Sequence, residues 1–310
     1  MPAAISGGAR IRTNTPAENA YTALQASSNI IARSQLRLST GKRINSAADD
    51  VAGYITSRAL AARNGSLRAA LIAVGDASNT TNIAQDGLDN INGLLTQIKD
   101  AASTASSGAL GTDEKVALAK AAFRLSEQIQ TVVDSTVFGG QQLLGGSFTA
   151  DFVIGYNAAN SLLTVQVGLD TGSSATNFNI DGSFLLDITG ANFAGVTGLN
   201  LQSLNSVSTS DLGVFSNGNI VGTLTSLASA LNNVNKVASY LGGLTNRLSS
   251  QEDSLKSQIT NYNAAISRIE DADVAQEQLD LIKAQFLQQT SVISLAQANQ
   301  NPQTFLQLLR

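Results

Sequence analysis

Between residues 17 and 38 the apolar and small positions recur at alternating spacings of four and three: Ala17, Tyr21, Leu24, Ser28, Ile31, Gln35 and Leu38. That is the seam of a coiled-coil helix, weakened by small and polar members. Its start is marked by "TPAE", in which Thr15 caps, Pro16 takes the first helical position and Glu18 completes a capping box. A second helix is expected from about residue 49 to 103, with Ile83, Gly87, Ile91, Leu94 and Ile98 on one face. A third starts at Thr112 and carries Leu118, Ala122, Leu125, Ile129, Val132 and Thr136. After "FGGQQLLGG" the period changes to two. "FTADFVIGY" and "SLLTVQVGL", with Gly, Asn and Asp clusters between, predict short antiparallel strands and hairpins over residues 148–205.

The helical period then returns. Leu224, Leu227, Leu231, Val234, Ala238, Leu241, Thr245, Leu248, Glu252, Leu255, Ile259, Tyr262, Ile266, Ile269 and Asp273 keep the spacing without a slip. At 1.5 Å per residue this is a helix of roughly 70 Å, so an elongated molecule is expected. Only Pro2, Pro16 and Pro302 occur, so nothing between the ends forces a break. A last seam follows in a new register: Leu279, Ile282, Phe286, Gln289, Ile293 and Ala296. Each end of the chain is thus a terminal helix joined to a long helix by a polar break. The symmetry predicts that the two breaks lie at one structural level of a paired bundle.

Composition narrows the chemistry. The 310 residues carry a formal net charge of −4, which disfavours nucleic acid or an anionic membrane as main partner. No run approaches a membrane-spanning helix, and the opening residues lack the pattern of a secretory signal peptide. There is no Cys, no His and no Trp, which removes thiol chemistry, His-dependent triads and ordinary zinc sites, and no cofactor motif is present. "GLDTGSS" (168–174) resembles one catalytic loop of an aspartic protease, with Asp170 as the carboxylate, but the required second loop is missing. A Gly/Ser-rich hairpin turn is the simpler reading, and no enzyme is expected.

The terminal apolar residues have no evident partner in the chain. Phe305, Leu306, Leu308 and Leu309 crowd the end, and such residues are satisfied by another copy. A head-to-tail contact that fails to close into a ring gives a filament. "LSTGKRINSAADDVAG" (38–53) strongly resembles the N-terminal segment of bacterial flagellins, and "SRIEDADVAQE" with "LAQANQNPQTFLQLLR" resembles their C-terminal signature. "IRTNTPA" (11–17) is similar to the family's opening, preceded here by a few extra residues.

The resemblance implies a mainly α fold with a small β-rich insertion, an elongated antiparallel coiled-coil bundle built from paired N- and C-terminal segments. It implies an inner-core helix and spoke over 1–45, a long-helix segment over 46–147, a variable solvent-facing segment over 148–210, a long helix over 211–272 and an inner-core helix over 273–310. The implied function is a structural subunit that polymerises into the flagellar filament after export, unfolded, through the flagellar channel. Implied partners are further copies of itself, the export apparatus and an export chaperone, and filament cap and hook-junction proteins. Assembly positions are Ile11, Tyr21, Leu24, Ile31, Leu38, Leu279, Ile282, Phe286, Ile293, Phe305, Leu306, Leu308, Leu309 and Arg310. Arg43, Asn45, Asp49, Asp50, Arg268, Glu270, Asp271 and Asp273 form the spoke and turn, with Arg43 expected to pair with the acids at 270, 271 and 273, either within the subunit or across a contact between subunits. Where family members sensed by the animal flagellin-sensing Toll-like receptor carry an Arg and a Leu, Gln97 and Ala101 stand here, which predicts weak recognition. Two other readings are a hook–filament junction protein and a carbohydrate-binding surface protein using Phe148, Phe152, Tyr156, Phe178, Phe184 or Phe193.

Overall fold

The computed structural model describes residues 13–156, 162–168 and 184–308, with backbone alone for 301–308. Among the described residues there are five α-helices: α1 (Thr15–Thr40), α2 (Val51–Ala105), α3 (Thr112–Ser135), α4 (Ile220–Glu270) and α5 (Val274–Leu308). Between α3 and α4 the described residues form three two-stranded antiparallel sheets. These are β1 (Val137–Phe138) with β2 (Gln141–Gln142), β3 (Thr149–Tyr156) with β4 (Leu162–Gly168), and β5 (Asn192–Phe193) with β6 (Val196–Thr197). The two quoted strand sequences therefore do form one hairpin. The "DTGSS" stretch with Asp170 lies outside the described residues.

The chain divides into two compact units, one from residues 1–64 with 260–310 and one from residues 65–259. In the second unit α2 buries Leu67, Ala70, Val74, Ala77, Thr81, Ala84, Leu88, Ile91, Leu95, Ile98, Ala102 and Ala105. The spacing alternates three and four throughout, a heptad seam from Leu67 to Ala105. Thr81 enters this seam because its hydroxyl donates to the Ala77 carbonyl of its own helix at 2.8 Å. Buried residues of α4 follow the same rule: Leu227, Ala230, Val234, Val237, Leu241, Leu244, Leu248 and Leu255. On α3, Ala119, Ala122, Phe123, Ser126, Ile129 and Val133 are buried. Ile83, expected on the inner face of α2, is exposed, while Gly87, Ile91, Leu94 and Ile98 are inside.

Turn chemistry fixes the first hairpin. Gly139 and Gly140 both take positive φ, +59° and +83°, the conformation a two-residue hairpin loop requires. Gly87 lets this hairpin seat on α2, since a Cβ there would stand 2.8 Å from Leu144 Cδ1 and 2.9 Å from Thr136 Oγ1.

Candidate assembly surface

The first unit pairs α1 with α5. Hydrogen bonds between them run in opposite chain directions: Asn14 Nδ2 donates to the Ala298 carbonyl (2.9 Å), Gln288 Nε2 to Ser28 Oγ (3.2 Å) and Ser34 Oγ to Glu277 Oε2 (3.0 Å). The pair is antiparallel. Its deepest positions are small or polar, Ala20, Ser27 and Ser34 on α1 against Glu277, Ala284, Ser291 and Ala298 on α5. Each set repeats every seven residues. Ala17, Leu24, Ile31 and Leu38 flank the seam on α1, and Leu281, Gln288 and Leu295 on α5, all half-buried.

Small seam residues let two helix backbones approach closely, which leaves no room for large side chains at those positions. This corrects half of the expected α1 seam: Tyr21, Ser28 and Gln35 stand one position off, and Tyr21 is exposed. The α5 expectation is displaced as a whole. Leu279, Ile282, Phe286, Gln289, Ile293 and Ala296 are all exposed, Phe286 by 69% and Ile293 by 65%. Their spacing is still heptad, so α5 carries two seams, one taken by α1 and one bare. The back of α1 differs. Glu18, Thr22, Gln25, Asn29, Ala32, Arg33 and Ser39 are exposed there, with Leu36 as the large apolar member. Of this helix pair, α5 exposes more large apolar side chains than α1, whose flanks carry Tyr21 and Ile30. Ile11, Leu309 and Arg310 lie outside the described residues, as do the side chains of Phe305, Leu306 and Leu308.

The cap of α1 is Asn14, not Thr15: its Oδ1 accepts from the Ala17 N–H at 3.3 Å. At the far end, Gly41 closes α1 in the left-handed conformation, φ +70°. The two polar breaks then meet. Lys42 and Asp271 form an antiparallel bridge, the Arg43 N–H donates to the Glu270 carbonyl (2.6 Å), and the Ala272 N–H donates to the Gly41 carbonyl (2.9 Å). Ile44, 3% exposed, anchors the spoke in the unit.

Within the chain, the ion pair to this acidic cluster is made by the residue next to Arg43. Lys42 Nζ pairs with Glu270 Oε2 at 2.8 Å. The Arg43 guanidinium instead donates to the Ile269 carbonyl at 2.8 Å, capping the end of α4. The bridge forces this, because adjacent residues of an extended segment point to opposite sides and only one can reach the buried Glu270. Asp273 is the cap of α5, accepting from the Ala275 and Gln276 N–H groups, and Asp271 accepts from the Ser267 hydroxyl. Asp50 caps α2 through the Gly53 N–H at 2.9 Å. Asp49 gathers the N–H groups of Ser46 (2.9 Å) and Asn45 (3.1 Å), and Asn45 Nδ2 donates to the Lys42 carbonyl. Arg268 is exposed.

These contacts shift two carboxyls. Lys42 holds the Glu270 carboxyl below the usual range, helped by the Ser57 hydroxyl and Arg58, against its burial. The Ser46 N–H does the same for Asp49, with the Asn45 N–H next. A depressed carboxyl contributes stability above its unfolded pKa, near the usual 4 to 4.5, and that contribution is lost as pH falls through the folded value. Lys42→Met is therefore expected to move acid loss of helix in this unit to higher pH, checked by circular dichroism during acid titration. An unchanged acid midpoint would show that the pair does not hold the break.

A second ion pair is deeper in the seam. Arg37 Nη1 meets Glu277 Oε1 at 2.7 Å, while Ser34 satisfies the other carboxylate oxygen. Sequence reasoning missed it because a Glu in the seam position reads as a break in the stripe. In the other unit Gln97 is exposed and Ala101 half-buried on α2. Phe148, Phe184 and Phe193 are buried core residues, which removes them from sugar stacking, and Phe152 is half-buried. Phe178 and the side chain of Tyr156 lie outside the described residues.

Comparison with known proteins gives two family matches, the "Bacterial flagellin N-terminal helical region" over residues 11–149 and the "Bacterial flagellin C-terminal helical region" over residues 224–309. Curated relatives include a flagellin of Halalkalibacterium halodurans, 30% identical over 97% of this chain and 99% of the relative. A flagellin of Bacillus subtilis is 29% identical over 97% of this chain and 100% of its own length. Among solved structures, one described as a flagellar hook-associated protein from Vibrio parahaemolyticus is similar in fold. Its TM-score is 0.54 and its identity 14%, covering 72% of this chain and 100% of that one.

Proposed function

We propose, from the premise that this chain belongs to the bacterial flagellin family and is a structural subunit of the flagellar filament, that it polymerises through the bare seam of α5. The observation that carries this reading is the row of Leu279, Ile282, Phe286 and Ile293, exposed at heptad spacing on a helix whose other seam already holds α1. Burying such a side chain is worth about 1.5–3 kcal/mol, so the four together contribute about 6–12 kcal/mol, the same order as the cost of association. A filament is a head-to-tail assembly. The seam therefore meets a different surface of the next copy, since like-on-like contact would close a two-fold dimer.

In the same proposal residues 1–45 and 273–310 form the innermost layer, residues 46–147 and 211–272 a second layer, and residues 148–210 the outward segment. Tyr21, at the flank of α1, and the end residues Phe305, Leu306, Leu308 and Leu309 join the α5 seam as assembly positions. The finer partners, an export apparatus with its chaperone and cap and junction proteins, belong to this reading, as does passage through the channel unfolded. The test is sedimentation of the purified chain with filament seeds beside a chain ending at Asp273. Pelleting polymer from the full chain alone supports the reading, and polymer from both overturns it.

Recognition by the animal flagellin-sensing receptor is proposed to be weak. An exposed Gln97 offers neither the charge nor the fork of an Arg, and the half-buried Ala101 lacks the reach of a Leu. Reporter cells bearing the receptor are expected to respond only at high concentrations of this protein. A strong response at low concentration would contradict it.

A further inference from the structure

The seam that joins α1 to α5 has a weakness in its own design. Ala20, Ser27 and Ser34 lie along Glu277, Ala284, Ser291 and Ala298, and both sets repeat every seven residues, all of them small except Glu277. Sliding one helix past the other by one heptad again lays small residues on small residues, so shape and apolar burial cannot choose among registers. We propose that the buried carboxylates Glu270 and Glu277, themselves one heptad apart, select the register of the terminal helix pair. This choice is independent of which surface drives polymerisation, because it concerns pairing inside one chain.

Each carboxylate has one ion-pair partner in the N-terminal segment: Glu277 has Arg37, with Ser34 on its other oxygen, and Glu270 has Lys42, helped by the Ser57 hydroxyl and the nearby Arg58. A slip of seven residues in one direction brings Glu270 to Arg37. It also sets Glu277 opposite Ser27 and Ile30, where no base stands seven residues before Arg37. The opposite slip brings Glu277 to Lys42 but leaves Arg37 facing Ala284 and carries Glu270 to the level of Asp49. Either slip strands a charge or opposes two acids. A buried charge without its partner lowers the population of such a register by about a hundred-fold or more. A polar residue in a helix seam selecting register at a cost in stability is an established device. The backbone bridge at Lys42 and Asp271 is the competing candidate, since it also ties the two segments at one level.

The chain contains no Cys, so introduced thiols report without background. Ser28→Cys is combined with Gln288→Cys, Leu281→Cys or Leu295→Cys in the assembled full chain, and a short thiol-to-thiol cross-linker is applied, with peptide mapping of the products. With Glu277 present, the 28–288 link is expected to predominate. With Glu277→Leu, which removes the charge stranded by the first slip, the 28–281 link is expected to rise to a comparable level while 28–295 stays minor. Exchanging the charges, Arg37→Glu with Glu277→Arg, is expected to restore the single 28–288 link. If Glu277→Leu leaves 28–288 alone, the bridge sets the register and the proposal fails. If Glu277→Leu abolishes all three links while the exchanged pair also gives none, Glu277 is a stability residue and not a selector, and the proposal fails likewise.

Discussion

Phe286→Lys combined with Ile293→Lys is expected to abolish filament growth at concentrations where the unaltered chain polymerises. Both side chains lie on the bare seam of α5, 69% and 65% exposed, so within the single chain the substitutions touch little. Exposed positions of this kind change folding stability by about 0.5 kcal/mol or less. In a polymer each would be desolvated, and losing two such burials costs about 3–6 kcal/mol per contact. That raises the concentration needed for growth by roughly two to four orders of magnitude. Turbidity and sedimentation against protein concentration check this, with thermal unfolding as the control for the chain itself. Growth at an unchanged critical concentration would remove this seam from the interface.

The second large effect concerns the long helices. Leu95→Ala is expected to destabilise the unit of residues 65–259 by about 2–5 kcal/mol, through lost transfer energy and the cavity left behind. Leu95 is fully buried in the α2 seam, beside Leu88, Ile91 and Ile98 in the same stripe. Ile72 on the same helix is 68% exposed, and Ile72→Ala is expected to cost about 0.5 kcal/mol or less. At the size of this unit one kcal/mol corresponds to about 2–4 °C, so the two variants separate clearly in a melting experiment. Equal melting points would contradict the assignment of the α2 stripe as core.

Much of this architecture was legible in the sequence. Heptad spacing, a missing Pro and two polar breaks gave the helices nearly to their ends, and the switch to a period of two marked the β3–β4 hairpin. What hydropathy misread was phase. In α1 the true seam uses Ala20, Ser27 and Ser34, residues whose merit is smallness, while Tyr21 one position on carries the stronger apolar signal. The same slip occurred in α4, where Ala230, Val237 and Leu244 are buried and the expected Leu231, Ala238 and Thr245 are half-buried. In α5 the louder of two seams is the outer one. A single sequence records that both exist, and only packing tells which one α1 occupies.

The spoke illustrates a different limit. Its acids and bases were identifiable, and so was the meeting of its two halves. Which base reaches Glu270 depends on the alternation of side chains across a backbone bridge, and that assigned Lys42 inward and Arg43 to the end of α4. Capping is a matter of one residue too: Asn14 stands just before the Thr15 that the "TPAE" motif suggests.

The most direct test of the account is a helical reconstruction of assembled filaments at side-chain resolution by electron cryo-microscopy. Leu279, Ile282, Phe286 and Ile293 are predicted to be buried against a different surface of a neighbouring copy, with α1 still paired to the other side of α5. Finding those four side chains facing solvent in the filament, or α1 displaced from α5 by a neighbour, would contradict it.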